Sequence, residues 1–295
     1  MNAELAEIFQ RQGGVATTGQ VLSVVSRRHL QRLLESTAVE PVWRGVLSWG
    51  TADDERRLKG LDLTVGEMVP ICLGTAARAY GFDTEEGADL HVLNPVRHQL
   101  RPCDGLVVHR RDGAPLTAVG GRPAVEPAWT AIEVARELRR PRALATLDAA
   151  LRSRRCDRAE LARAAVAQAG RRGIVQVREL LVLADPRAES AMESETRLVM
   201  LDGGLPSPAL QFEIVDSMGR LRRLDFAWPD LKVAAEYDGA DWHGGREALR
   251  RDRERLAALQ DLGWVVIPIL AEDVRRRPAA LVERIGGHLG RARAA

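Results

Sequence analysis

The chain has 295 residues, with 43 Lys plus Arg set against 41 Asp plus Glu for a formal charge of +2, and 45% of its residues are hydrophobic. That length accommodates two or three domains with cores of their own, and the apolar share excludes a disordered chain. The near-neutral balance excludes nucleic-acid binding through bulk charge, so any such binding must come from local constellations.

Cys72, Cys103 and Cys156 lie far apart and form no C-x-x-C pair, which argues against a zinc site or a disulfide framework. No run of 18 or more apolar residues is present, so no membrane partner is expected. Met1 to Gln10 is acidic and amphipathic, unlike a secretory leader, and a cytoplasmic protein is expected. The basic residues are Arg except for Lys59 and Lys232, a bias that genomic base composition mostly explains.

Residues 1–50 predict three helices and a hairpin. The first covers Ala3 to Gln12, with Leu5, Ile8 and Phe9 on one face and Gly13-Gly14 after it. Thr17-Thr18 caps a short second helix over Gly19 to Leu22. Ser26 caps a third, Arg27 to Glu35, whose Leu30, Leu33 and Leu34 face inward. Val39 to Trp49 predicts two strands about Arg44-Gly45. This is the order of a winged helix-turn-helix. Its recognition helix would expose Arg27, Arg28, Gln31 and Arg32, with Arg44 on the wing, all suited to phosphates and base edges. The same face also fits a small helical subdomain with a solvated polar surface.

Residues 53–184 predict a mixed α/β middle region. A helical stretch over Val65 to Tyr80 is followed by strands at Leu90 to Leu93 and Gly105 to His109. Helices then cover Ala128 to Leu138, Arg142 to Arg152, Arg158 to Gln168 and Val175 to Leu183. His91, His98 and His109 have no metal-ligand spacing and read as surface residues of loops and strands.

Residues 190–295 carry the chemistry. Helix Met192 to Leu201, capped by Ser190, precedes strands Leu210 to Val215, Leu221 to Ala227 and Lys232 to Tyr237. A basic helix over Arg246 to Leu262 leads to an apolar strand, Trp264 to Ile269, expected at the centre of the sheet. A last helix covers Pro278 to Leu289. Asp225 and Glu236 fall near the ends of consecutive strands, and Glu193 lies on the preceding helix. Converging carboxylates of this kind suit Mg²⁺ or Mn²⁺. Glu236 follows an apolar run, where a carboxylate is costly unless it is paired with an Arg or bound to a metal. Arg250 and Arg253 share one face of the basic helix and could meet a DNA backbone, although ion pairs within the helix account for most of its charges.

Two resemblances follow from these motifs. Gly14-Val-Ala-Thr-Thr-Gly-Gln20, Ser26-Arg-Arg-His-Leu-Gln-Arg-Leu33 and Val42-Trp-Arg-Gly-Val-Leu47 resemble the N-terminal winged helix of AbiEi-type antitoxins of type IV toxin–antitoxin systems. That resemblance implies repression of the chain's own promoter and a toxin partner. Glu193 with Arg197, Arg223-Leu-Asp-Phe-Ala-Trp-Pro-Asp230, Val233-Ala-Ala-Glu-Tyr-Asp-Gly239, Trp242-His243, Arg251-Asp-Arg253 and Leu262-Gly-Trp-Val-Val266 resemble a bacterial domain family related to very-short-patch-repair endonucleases, within the PD-(D/E)xK superfamily. This second resemblance implies a restriction-endonuclease-like fold, Asp225 and Glu236 as metal contacts, Glu193 as the helix carboxylate, and His243 as general acid or base. The superfamily's Lys, two places after the second acid, is replaced by Asp238.

The expectation is therefore an α/β, α+β multidomain chain. It would bind DNA and hydrolyse phosphodiester bonds with Mg²⁺ or Mn²⁺. The competing expectation is a non-enzymatic transcriptional regulator or type IV antitoxin-like repressor on a vestigial nuclease fold. A third has the C-terminal fold serving partner binding alone.

Overall fold

The computed structural model describes residues 3–82, 85, 87–110, 113–239 and 246–294. It is a mixed α/β chain that divides into two compact units, Met1–Tyr80 with Glu86–Thr130 and Gly81–Glu85 with Ala131–Ala295. No helix among the described residues is long and apolar enough to cross a membrane.

The first unit begins with α1 (Ala3–Arg11), β1 (Val15–Thr17), α2 (Thr18–Val24), α3 (Arg27–Glu35), β2 (Val39–Trp43) and β3 (Val46–Trp49). The strands form an antiparallel sheet in the order β1-β3-β2. Thr17 and Gln20 make a reciprocal capping box at the start of α2, and Ser26 Oγ accepts from His29 N at the start of α3. Gly45, at φ +80°, supplies the left-handed residue that lets β2 turn into β3. Leu5, Phe9, Ala16, Val21, Leu30, Val39 and Leu47 form the core. β1 was not expected.

The expected helix over Val65 to Tyr80 forms only from Leu73 on, as α5 (Leu73–Tyr80), and an unexpected helix, α4 (Asp54–Val65), precedes it. Gly66, left-handed at φ +86°, closes α4, and Pro70 lies in the extended link. β4 (Leu90–Leu93) and β5 (Leu106–His109) pair in parallel. β6 (Leu116–Val119) and β7 (Arg122–Val125) form an unexpected hairpin about Gly120-Gly121. Arg122 grips Asp62 on α4 through both guanidinium nitrogens, at 2.9 and 2.5 Å.

The second unit holds a helical layer of α6 (Pro127–Glu137) from Ala131 on, α7 (Arg140–Arg152), α8 (Arg158–Ala167) and α9 (Ile174–Leu183). α10 (Ala191–Asp202), β8 (Ala209–Val215), β9 (Leu221–Trp228) and β10 (Val233–Tyr237) come next, then α11 (Arg246–Asp261), β11 (Val265–Ile269), α12 (Ala271–Arg276) and α13 (Pro278–Ala294). The sheet order is β11-β10-β9-β8. β8, β9 and β10 form an antiparallel meander, and α11 carries the chain over to a parallel β11. β11 is thus an edge strand and not the central one expected. Its Pro268 has no N–H for a further ladder, and Val265 is exposed.

The sheet is covered on both faces. Met200, Val274, Leu281, Ile285 and Leu289 of α10, α12 and α13 pack on Leu210, Phe226, Trp228, Val233 and Ile267. Leu259 of α11 packs with Trp264, Leu224, Ala227 and Ala234. A buried ion pair, Arg197 Nη2 to Asp148 Oδ2 at 2.6 Å, ties α10 to α7.

Candidate functional site

The carboxylates predicted from spacing converge in the second unit. Glu193, 8% exposed, lies in the first turn of α10, where Ser190 Oγ caps its backbone N–H at 3.1 Å. Its Oε2 accepts from Glu189 N and from Gln211 Nε2, both at 2.9 Å. Asp225 lies on β9, and its Oδ2 accepts from Tyr237 N at 3.0 Å. Burial pushes the Asp225 carboxyl up to about 6. The Tyr237 N–H opposes this, while the negative charges of Glu193 and Glu236 reinforce it. Asp225 is therefore a half-buried acid poised between its two forms near neutral pH.

Glu236, on β10, is held differently. Arg255 of α11 donates from Nη1 to its Oε2 at 2.7 Å and from Nη2 to its Oε1, and Nη2 also reaches the Arg223 carbonyl at 2.9 Å. Sequence reading passed over Arg255. Its signal was the spacing to Leu259, four residues on and fully buried, which turns both toward the sheet. Lys232 does not approach the carboxylates, since its Nζ caps the Leu262 carbonyl at 2.9 Å. His243 lies outside the described residues.

Gln211 is the other residue the sequence hid. The pairs Leu210↔Phe226 and Phe212↔Leu224 place it opposite Asp225. Its φ of +50° is left-handed, unusual for a side chain of this kind. The two strands change faces here. Leu210 and Phe226 belong to the core under α10, α12 and α13, whereas Phe212 and Leu224 pack with Leu259 and Trp264. Gln211 Oε1 is buried and has no hydrogen-bond donor among the described residues.

These side chains offer hard oxygens, which suit a divalent cation such as Mg²⁺ or Mn²⁺, and the orphaned Gln211 oxygen is an acceptor in want of a cation or a donor. Glu236 fits less well, because both its oxygens are engaged by Arg255. Among the described residues no group of three or more His, Cys, Asp or Glu side chains is arranged to hold a metal ion.

In the first unit, α3 exposes Arg27, Arg28, Gln31 and Arg32 while Leu30 is buried, and Arg44 is exposed at the β2–β3 turn. Gln31 Nε2 donates to Glu35 Oε1 at 3.1 Å, and the three arginines of α3 have no ion-pair partner among the described residues. On α11, Arg250 and Arg253 are exposed, and Arg250 pairs along the helix with Glu254 at 3.4 Å.

His91 and His109 are not the separate surface residues expected. Parallel pairing of β4 with β5 brings His91 Nδ1 within 3.0 Å of His109 Nε2. The ring planes differ by 17° with centroids 5.2 Å apart. A centroid separation that exceeds the N–N distance by about two ring radii means rings meeting end to end through one shared proton, not lying face to face.

Residues 69–183 match the AbiEi antitoxin C-terminal domain, so the likeness to these antitoxins falls on the middle region, which had offered no chemistry from sequence. The crystal structure of the RV2827C protein from Mycobacterium tuberculosis is a distant likeness, with a TM-score of 0.44 and 14% identity over 72% of this chain and 86% of that one. The uncharacterized protein Rv2248 of Mycobacterium tuberculosis H37Rv, and MT2308 of a second strain of that organism, are each 54% identical over 272 residues, covering 92% of this chain and 100% of each relative. The chain belongs to the family of these mycobacterial proteins and contains a region matching the antitoxin domain.

Proposed function

We propose that the chain is a sequence-selective DNA-binding regulator of the antitoxin type, reading DNA with a winged helix-turn-helix made of α1 to β3. The observation that carries this reading is the one-sided face of α3, where Arg27, Arg28, Gln31 and Arg32 are exposed around a buried Leu30. The Ser26 cap fixes the start of that helix, so its first-turn arginines are held for a groove while Arg44 extends the basic surface at the wing. Arginine forks match both phosphate and the major-groove edge of guanine. The antitoxin-domain match supports a regulatory role, with a toxin as the further partner. Fluorescence anisotropy on the duplex upstream of the gene, against a scrambled duplex, tests the reading. Selective binding is expected, weakened at least about tenfold by Arg28→Ala or Arg32→Ala. Equal affinity for both duplexes at about 150 mM salt would sink it.

A second reading, cation-dependent hydrolysis of DNA phosphodiester bonds, is favoured by the convergence of Glu193 and Glu236 on Asp225. Asp225 and Glu193 are the residues that would hold Mg²⁺ or Mn²⁺, and His243 is the proposed proton carrier. The cation, when bound, lowers the pKa of a water and offsets charge on phosphate. Arg255 orients Glu236 and supplies the positive charge that Asp238 does not. A nicking assay with Mn²⁺ separates the alternatives: cleavage by the native chain and none by Asp225→Ala supports hydrolysis, and no difference between them removes it.

A further inference from the structure

We infer that Gln211 is a cation ligand of the carboxylate site, its Oε1 taking the place that Glu236 gives up to Arg255. The inference rests on the reading of that site as cation-binding. It is carried by the way the Gln211 amide is oriented. Nε2 donates to Glu193 Oε2 at 2.9 Å, which sends Oε1 the other way. The opposite assignment would set the amide oxygen against a carboxylate, so the hydrogen bond itself fixes which atom is which. Oε1 is then left buried with no donor among the described residues.

Its place in the sheet sets Gln211 among the carboxylates. Gln211 stands opposite Asp225 in the β8–β9 ladder and is joined to Glu193 by its own hydrogen bond. One residue thus touches one carboxylate and faces another. It does so from a left-handed backbone at φ +50°, a conformation that a glutamine holds only when its surroundings impose it. Glu236, the acid that spacing nominated, has both oxygens bound by a guanidinium and would have to shed Arg255 before binding a cation. An amide oxygen is a hard, neutral ligand of the kind Mg²⁺ and Mn²⁺ accept beside carboxylates. With two carboxylates and one amide, the ligand charge balances a divalent ion.

The test is Mn²⁺ titration of the full chain followed by electron paramagnetic resonance of the free ion, with thermal unfolding of every variant as a folding control. Gln211→Gly removes the side chain at a backbone angle glycine adopts freely, which offsets part of the lost hydrogen bond to Glu193, and the unfolding midpoint reads the balance. The expected result is that Gln211→Gly and Asp225→Asn each weaken Mn²⁺ binding by at least about tenfold, while Glu236→Gln changes it by less than about threefold. Gln211→Gly binding like the native chain overturns the inference and leaves Oε1 to a water; if Glu236→Gln then loses binding along with Asp225→Asn, the cation reading survives with Glu236 as ligand. A native chain that binds no Mn²⁺, or an Asp225→Asn chain that binds it unchanged, removes the cation reading and the inference together.

Discussion

Arg255 lays its guanidinium across both carboxylate oxygens of Glu236 and, from the same Nη2, holds the Arg223 carbonyl. One residue of α11 thereby fastens β9 and β10 at the point where their acidic side chains converge. Both partners are largely shielded, so this pair contributes more than a surface ion pair does. Arg255→Met should lower stability by about 2 kcal/mol, because it leaves Glu236 shielded and uncompensated. Glu236→Gln with Arg255→Met should cost less than the sum of the two single changes, and a double-mutant cycle in urea reads the difference.

Asp225 predicts a pH dependence with a definite sign. Its folded-state value, about 6, lies above the ordinary 3.8, so folding favours the protonated form. The stability it contributes is full below the ordinary value and is lost as pH rises through about 6. Between about pH 5 and about pH 8 the native chain should lose about 1–2 kcal/mol relative to Asp225→Asn, after allowance for the partial exposure of the group. Thermal midpoints across that range check it, and parallel curves for the two proteins would contradict it.

Salt dependence distinguishes the basic faces. If α3 meets DNA, Arg28→Ala and Arg32→Ala should each reduce the slope of log affinity against log salt by about 0.9. Arg250→Ala should leave that slope nearly unchanged, since Arg250 is already paired with Glu254 along its own helix. An equal loss at all three positions would mean that α11 also lies on the DNA.

Gly173 opens α9 at φ +81°, and a Cβ there would come within 2.3 Å of the Arg136 carbonyl oxygen. Backbone against backbone cannot give way cheaply. Gly173→Ala should destabilise the second unit by more than about 2 kcal/mol, visible as a lowered midpoint in urea, whereas Gly204→Ala meets no neighbouring atom and should cost only the left-handed strain.

Helix starts were the most legible features of the sequence. Ser26 and Ser190 write the beginnings of α3 and α10 in a single residue each, because a side-chain oxygen accepting a backbone N–H is a local event. The three-residue β1 was too short to alternate, and Gly66 with Pro70 cut a helical pattern that composition alone would have continued. β11 misled because apolar content reads the same at an edge as at a centre; Pro268 was the mark against a central place. Glu193, Asp225 and Glu236 could be nominated from spacing along their elements. Gln211 and Arg255 could not, since their roles come from ladder register and from a helix crossing the sheet, and neither is a property of neighbouring positions in the chain.

The buried pair between Arg197 and Asp148 has a mechanical consequence for the carboxylates. Arg197 lies one helical turn beyond Glu193, on the same side of α10, and is anchored in α7. α10 therefore works as a strut with its foot in the helical layer and Glu193 at its head. A sliding of α7 by a fraction of a turn cannot be absorbed by that buried contact. It would be delivered to Glu193 and, through the Gln211 amide, to the strand that faces Asp225.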